Sequence, residues 1–311
     1  MNLLPTLVFR FSLFAASFAN TFIVQPAHTD VSPAQAAARQ AVDGLIKAAP
    51  GNRATLGRLN AAMETSINFG APTWNAGDHA ACCHFYVKTG QSLCDAFDAP
   101  AGATDPARII LADLHGALDR VSKCTDVDAN AWTMRYVFEK TAVAIDLQIT
   151  RCQQMNALGQ QNATRSSFVD AADAFTDATA ALHELRGVPL EELPDSCRST
   201  PLALSDALFA LQEFPEAAAS VEDGLIYLPD LAESKLDLHQ HFSDPAAYQA
   251  LLGALRTAIE QKPTDASLQL LYGYHLFFTG QRDDARPYLQ KAQKLDPNLT
   301  APGKLLSAPA P

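Results

Sequence analysis

The stretch LLYGYHLFFTGQRDDARPYLQKAQKLDP, residues 270–297, decides how this chain folds. Two segments with helical spacing flank Thr279-Gly280, and the second runs into Pro297. Gly273 and Ala285 are small residues set where the two helices of a hairpin approach each other. Gly280 permits the turn, because a residue without Cβ adopts φ > 0 freely, and Pro297 stops the second helix. Working outward, Pro229, Pro263 and Pro297 stand at equal intervals of 34 residues, and a fixed period of this length signals a repeat architecture. The unit that ends at Pro229 keeps Ala217, Val221 and Gly224 at the same offsets, behind an apolar helix with Leu204, Leu208 and Leu211. The unit that ends at Pro263 keeps Leu251, Leu255 and Ala258. It has His239 where a small residue belongs and Ser243-Asp244-Pro245 in place of a turn glycine.

With Gly273, Gly280, Ala285, Leu289, Ala292 and Pro297 at the family's spacings, residues 266–297 resemble a tetratricopeptide repeat. Residues 200–230 resemble it less closely, the middle unit less again, and the whole match covers about a third of the chain. The resemblance implies a right-handed stack of helical hairpins whose first helices line a concave groove. Carried over unit by unit, the groove positions are Asp206 and Phe209 from the first, Gln240 from the second, and Leu270, Tyr274, Phe277 and Phe278 from the third. That face is aromatic and nearly uncharged, so the implied ligand is an apolar segment of a protein or peptide partner. The alternative is that these aromatics pack against the N-terminal bundle.

The composition narrows the class. At 311 residues, 48% hydrophobic and 18% charged, the chain is long enough for two domains or one extended helical array, and its balance is that of a folded protein. A formal charge of −11 with no cluster of Lys and Arg disfavours nucleic acid as a partner. The first 27 residues differ from the rest: an apolar run from Phe11 to Phe18 follows Arg10, the pattern of a cleaved export signal and of a periplasmic or secreted protein. The alternative is an uncleaved anchor over residues 3–24, in which Arg10 near the centre would cost roughly 2.5–3.5 kcal/mol. No later stretch is long and apolar enough to span a bilayer.

From Ser32 on, the segments show helical periodicity, and none shows strand alternation, so the fold is expected to be all-α. Residues 31–187 read as an N-terminal helical bundle, 188–199 as a Pro-rich acidic linker, 200–299 as the repeats and 300–311 as a flexible tail. The central helix is expected from Asn130 to Leu158, with a middle apolar on several sides. Gly70, Gly77 and Cys82 reproduce the intervals of Gly273, Gly280 and Ala285, which points to one more diverged hairpin in the bundle.

Candidate chemistry is sparse. His79 and Cys83 share one helical face at a spacing that can place two ligands on a zinc ion, but no Cys-x-x-Cys pair accompanies them. The six cysteines Cys82, Cys83, Cys94, Cys124, Cys152 and Cys197 fit an exported protein, and two or three disulfides are expected to staple the bundle, Cys197 fastening the linker. His239 and His241 diverge by some 200° if helical and read as surface residues. No nucleophile elbow, phosphate loop or dinucleotide fingerprint occurs. The expected function is therefore non-enzymatic, an exported adaptor without catalytic residues, cofactor or metal. The alternatives are a metal- or cofactor-dependent envelope enzyme using His79 and Cys83, and a purely structural envelope component.

Overall fold

The structure, a computed structural model, describes residues 33–47, 54–97, 105–234, 236–242 and 244–309. The expected export segment 1–27, with its anchor alternative 3–24, lies outside the described residues. Helix α1 (Pro33–Lys47) precedes a hairpin of α2 (Leu56–Asn75) and α3 (His79–Ala96). After α4 (Pro106–Lys123) comes a second hairpin, the long α5 (Val127–Thr164) with α6 (Phe168–Glu184). A short α7 (Asp195–Arg198) leads into a third, α8 (Thr200–Ala210) with α9 (Phe214–Tyr227). Then follow α10 (Pro245–Gln261), a fourth hairpin of α11 (Ala266–Phe278) with α12 (Arg282–Leu295), and α13 (Ala301–Ser307). Among the described residues no strand forms, so the fold is all-α. Side chains of Thr55, Asp78, Asp105, Asp126, Asp244 and Asp265 cap six of these helices by accepting from first-turn amides.

The four hairpins share one turn. Two residues past the first helix stands a residue with positive φ: Gly77 (87°), Ser166 (58°), Gln212 (62°) and Gly280 (81°). The amide of the next residue reaches back five positions to the helix, Asp78 to Thr73 (3.2 Å), Ser167 to Asn162 (3.0 Å), Glu213 to Leu208 (2.9 Å) and Gln281 to Leu276 (2.9 Å). This 6→1 bond satisfies one of the otherwise orphaned carbonyls of the helix end. Seven residues before each turn the first helix carries Gly70, Gly159, Ser205 or Gly273, and the second helix carries Cys82, Ala171, Ala217 or Ala285, all four buried. A Cβ at Gly70, Gly159 or Gly273 would come closer than 3.0 Å to Tyr86, Phe175 or Leu289, in each case sixteen residues on. Small residues thus set how closely the two helices of a pair approach.

The 34-residue period is realised at second-helix ends. Helices α9, α10 and α12 each stop two residues before Pro229, Pro263 and Pro297. In each case a turn then closes across the proline, Leu231 N–H to Leu228 C=O (3.1 Å), Asp265 to Lys262 (3.1 Å) and Leu299 to Asp296 (3.3 Å). The middle unit departs from the expectation: among the described residues of 229–244 no first helix forms, and two 3-10 turns, Leu231–Glu233 and Leu238–Gln240, stand there instead. Pro229 and Pro245 bracket this stretch; Pro245 drives Asp244 into extended backbone (φ −114°, ψ 102°). Helix α9 consequently packs directly on α11.

Two cores meet in α6. Ala171, Ala172 and Phe175 belong to the C-terminal core with α8 to α13, and Ala178, Ala181, Leu182 and Leu185 to the N-terminal core with α1 to α5. The expected linker, residues 188–199, is packed where the two cores meet: Leu193 and Cys197 are buried in the N-terminal core, and α7 packs between α5 and α8. The expectation of a flexible tail at 300–311 needs correction, since α13 forms there and buries Ala301, Pro302 and Leu305. The Glu222 carboxylate accepts from the Thr300 and Ala301 amides at 2.5 and 2.9 Å and caps that helix.

Candidate functional site

The residues expected to line a concave groove are, with two exceptions, interior. Phe209, Leu270, Tyr274, Phe277 and Phe278 are all buried, and only Asp206 and Gln240 reach solvent. The irregular stretch 229–242 fills the trough. Phe242 lies 5.9 Å from Phe209 and 4.7 Å from Tyr248 between ring centres, and Leu238 is fully buried beside them. His241 Nδ1 bonds Asp206 at 2.8 Å, which holds the histidine above its ordinary range. Arg282 lies 4.3 Å over the Phe277 ring and donates to the Ala232 and Pro309 carbonyls. The correction has a physical reason: without a first helix in the middle unit, the chain's own apolar side chains cover the face that a partner would have taken.

The thiols form no bridge. All six cysteines, Cys82, Cys83, Cys94, Cys124, Cys152 and Cys197, are free, which corrects the expectation of disulfides. Cys82 packs at the small-residue position of its hairpin. Cys152 and Cys197 face each other, buried, with Cys197 Sγ 3.8 Å from the Ile149 carbonyl. Burial pushes the Cys82 and Cys83 thiols up and Cys94 to about 12, so none of the three is a thiolate nucleophile near neutrality.

Among the described residues, His79 and Cys83 belong to no group of three or more side chains that could hold a metal ion. The His79 ring stacks on Trp74, centres 3.8 Å apart and planes within 3°, and its Nδ1 bonds Asp128 Oδ1 at 2.9 Å. That stack forms part of the feature that sequence reading missed. Between α2, α3 and α5 lies a pocket of ≈ 200 Å³ lined by Ala71, Trp74, Asn75, Cys82, Tyr86, Ala131, Trp132, Arg135 and Glu139. Trp132 stands edge-on to Trp74 at 5.8 Å yet remains 60% exposed. On the floor, burial pushes the Tyr86 hydroxyl up to about 12, while Arg135 Nε donates to Glu139 at 2.7 Å. The pocket is therefore apolar, walled by two indoles, and its one guanidinium is already neutralised. Its volume suits one large side chain; small-molecule sites are commonly roughly 300–1,000 Å³.

Helix geometry assembles this site. The α2–α3 turn at Gly77 brings His79 back onto Trp74, and the Asp126 cap starts α5 so that Asp128, Trp132 and Arg135 face α2 and α3. The usable signal was that the chain's two tryptophans fall on α2 and α5, either side of the diverged hairpin marked by Gly70 and Gly77. No known family model matches the chain, and no curated protein resembles it significantly in sequence. Among the described residues no helix is long and apolar enough to cross a membrane.

Proposed function

We propose that this chain is a non-enzymatic helical-repeat adaptor of the tetratricopeptide kind, exported by its apolar N-terminal segment, that binds a polypeptide partner. The binding site we assign is the Trp74–Trp132 pocket, in place of the C-terminal trough that the chain fills itself. The observation that carries this reading is the exposed Trp132 at the mouth of a side-chain-sized pocket. Covering an indole that protrudes this far is worth on the order of 2–3 kcal/mol, and large aromatics are the commonest anchors of polypeptide interfaces. The four hairpins of common register support the repeat part of the reading, since such arrays serve chiefly as rigid surfaces for partners.

A photoreactive phenylalanine analogue tests the assignment when placed at position 132 and, as a control, at the exposed Val169 of α6. Irradiation in the native cell should give a discrete polypeptide adduct from position 132 and none from 169. Equal labelling from both sites, or from neither, would remove the pocket as a binding site.

A further inference from the structure

The pocket does not end at Trp132. Along α5 the side chains Trp132, Tyr136, Val143 and Leu147 are 60%, 62%, 65% and 67% exposed. At 100° per residue they fall within an arc of about 60° and form one straight ridge about 22 Å long that starts at the pocket mouth. Scattered apolar residues are normal on a surface, but four large ones on a single line are not. Asp128, Glu139 and Asp146, all exposed, run along one edge of that ridge; Asp128 is bonded to His79 and Glu139 to Arg135, so three carboxylates stand against one guanidinium and the edge keeps a net negative formal charge. On the other edge Lys140 is bound by Asp113 of α4 at 2.7 Å and Arg151 faces Asp177 of α6 at 3.8 Å, so the basic charges there are answered within the chain.

Resting on the adaptor reading, we infer that the partner segment is a basic amphipathic helix laid along α5, one large apolar side chain seated in the pocket that Trp74 and Trp132 help to line and its lysines or arginines over Asp128, Glu139 and Asp146. A narrow apolar ridge with spacings of four, seven and four is complementary to the stripe of another helix, which repeats at the same period. The acidic row selects a cationic occupant. It also argues against a second copy of this chain, which would set two such rows and two net charges of −11 together. An anionic membrane surface is disfavoured on the same ground.

The chain carries two tryptophans and both line the pocket, so intrinsic fluorescence reports occupancy of this site directly. The probes are two synthetic helical peptides without tryptophan, each about 18 residues long to match the ridge, with one Phe/Leu stripe and a polar face of lysine in one and glutamate in the other. The lysine peptide should shift the emission of the full chain and bind at least about tenfold more tightly than the glutamate peptide. Val143→Asp with Leu147→Asp should weaken it by about tenfold or more without changing the thermal melt, because both side chains are exposed. Glu139→Lys with Asp146→Lys should reverse the preference between the peptides.

Failure of both peptides to bind, or binding that ignores the ridge and the acidic row, overturns the basic-helix inference. If position 132 still crosslinks a polypeptide in that case, the adaptor reading survives alone. Sedimentation showing a dimer that Val143→Asp dissolves would overturn the inference in favour of a second copy.

Discussion

His275 of α11 is buried to the point that desolvation lowers its pKa to about 3. Its ring packs 4.0 Å from Phe209, its Nδ1 is hydrogen-bonded to the Tyr248 hydroxyl at 3.0 Å, and its Nε2 has no partner. The folded-state value lies below the 6.5 of the free side chain, so the unfolded chain takes up the proton first. The contribution to stability is therefore complete above 6.5 and drains away as pH falls from 6.5 toward 3. Urea titrations should show the wild type losing about 2 kcal/mol more than His275→Gln between about pH 7 and about pH 5. An equal loss in both would mean that the site opens or hydrates at mild acidity. Gln212 and Gly280 offer a second comparison, since both hold positive φ at equivalent turns. Gln212→Gly should stabilise by about 0.5–1 kcal/mol, and Gly280→Gln should destabilise by about 1–2 kcal/mol in the same assay. The opposite signs would be read from urea midpoints at constant m-value.

At the scale of elements, the hairpins were legible where glycine marks them. Gly273 with Gly280 and Gly70 with Gly77 point to the helix pairs α11–α12 and α2–α3 from spacing alone. The α5–α6 and α8–α9 turns use Ser166 and Gln212, residues with no turn signature of their own, so only an apolar pattern on either side announced them. The unformed helix of the middle unit was legible only in part. Ser243-Asp244-Pro245 warned of a break, but the inward turn of Leu238 and Phe242 depends on the apolar trough of α8 and α11, a long-range contact that no local pattern encodes. The pocket was harder still, because it depends on how α5 crosses the α2–α3 hairpin, which brings residues more than fifty positions apart onto one wall. The tail misled for a related reason: a segment with three prolines looks loose until Glu222 caps it from α9. Glu222→Gln keeps the shape of that cap and removes its charge. It should cost about 1–2 kcal/mol, and hydrogen exchange should rise first in residues 301–307. Exchange rising uniformly over the chain would show that α13 does not open on its own.

For the whole molecule the deciding feature is α6, which gives Phe175 to one core and Leu182 to the other. Charges reinforce the joint: Asp223 of α9 takes His183 Nε2 at 2.6 Å and Arg186 at 2.8 Å, and Thr55 at the start of α2 donates to the Arg186 carbonyl at 2.6 Å. Neither half covers its own face of α6 without the other, so the two should unfold as one unit. Both tryptophans report the N-terminal half alone, whereas far-UV circular dichroism reports all helices. In urea the two signals should therefore coincide for the wild type. Phe175→Ala removes the ring that fills the notch at Gly159 and packs against the C-terminal core, a loss of about 3–5 kcal/mol placed on one side of the joint. The dichroism should then show an early transition while the tryptophan emission keeps a later midpoint. Signals that already separate in the wild type would mean that α6 belongs to one half only, and the α5 ridge would then be carried by a bundle that folds without helices α8 to α13.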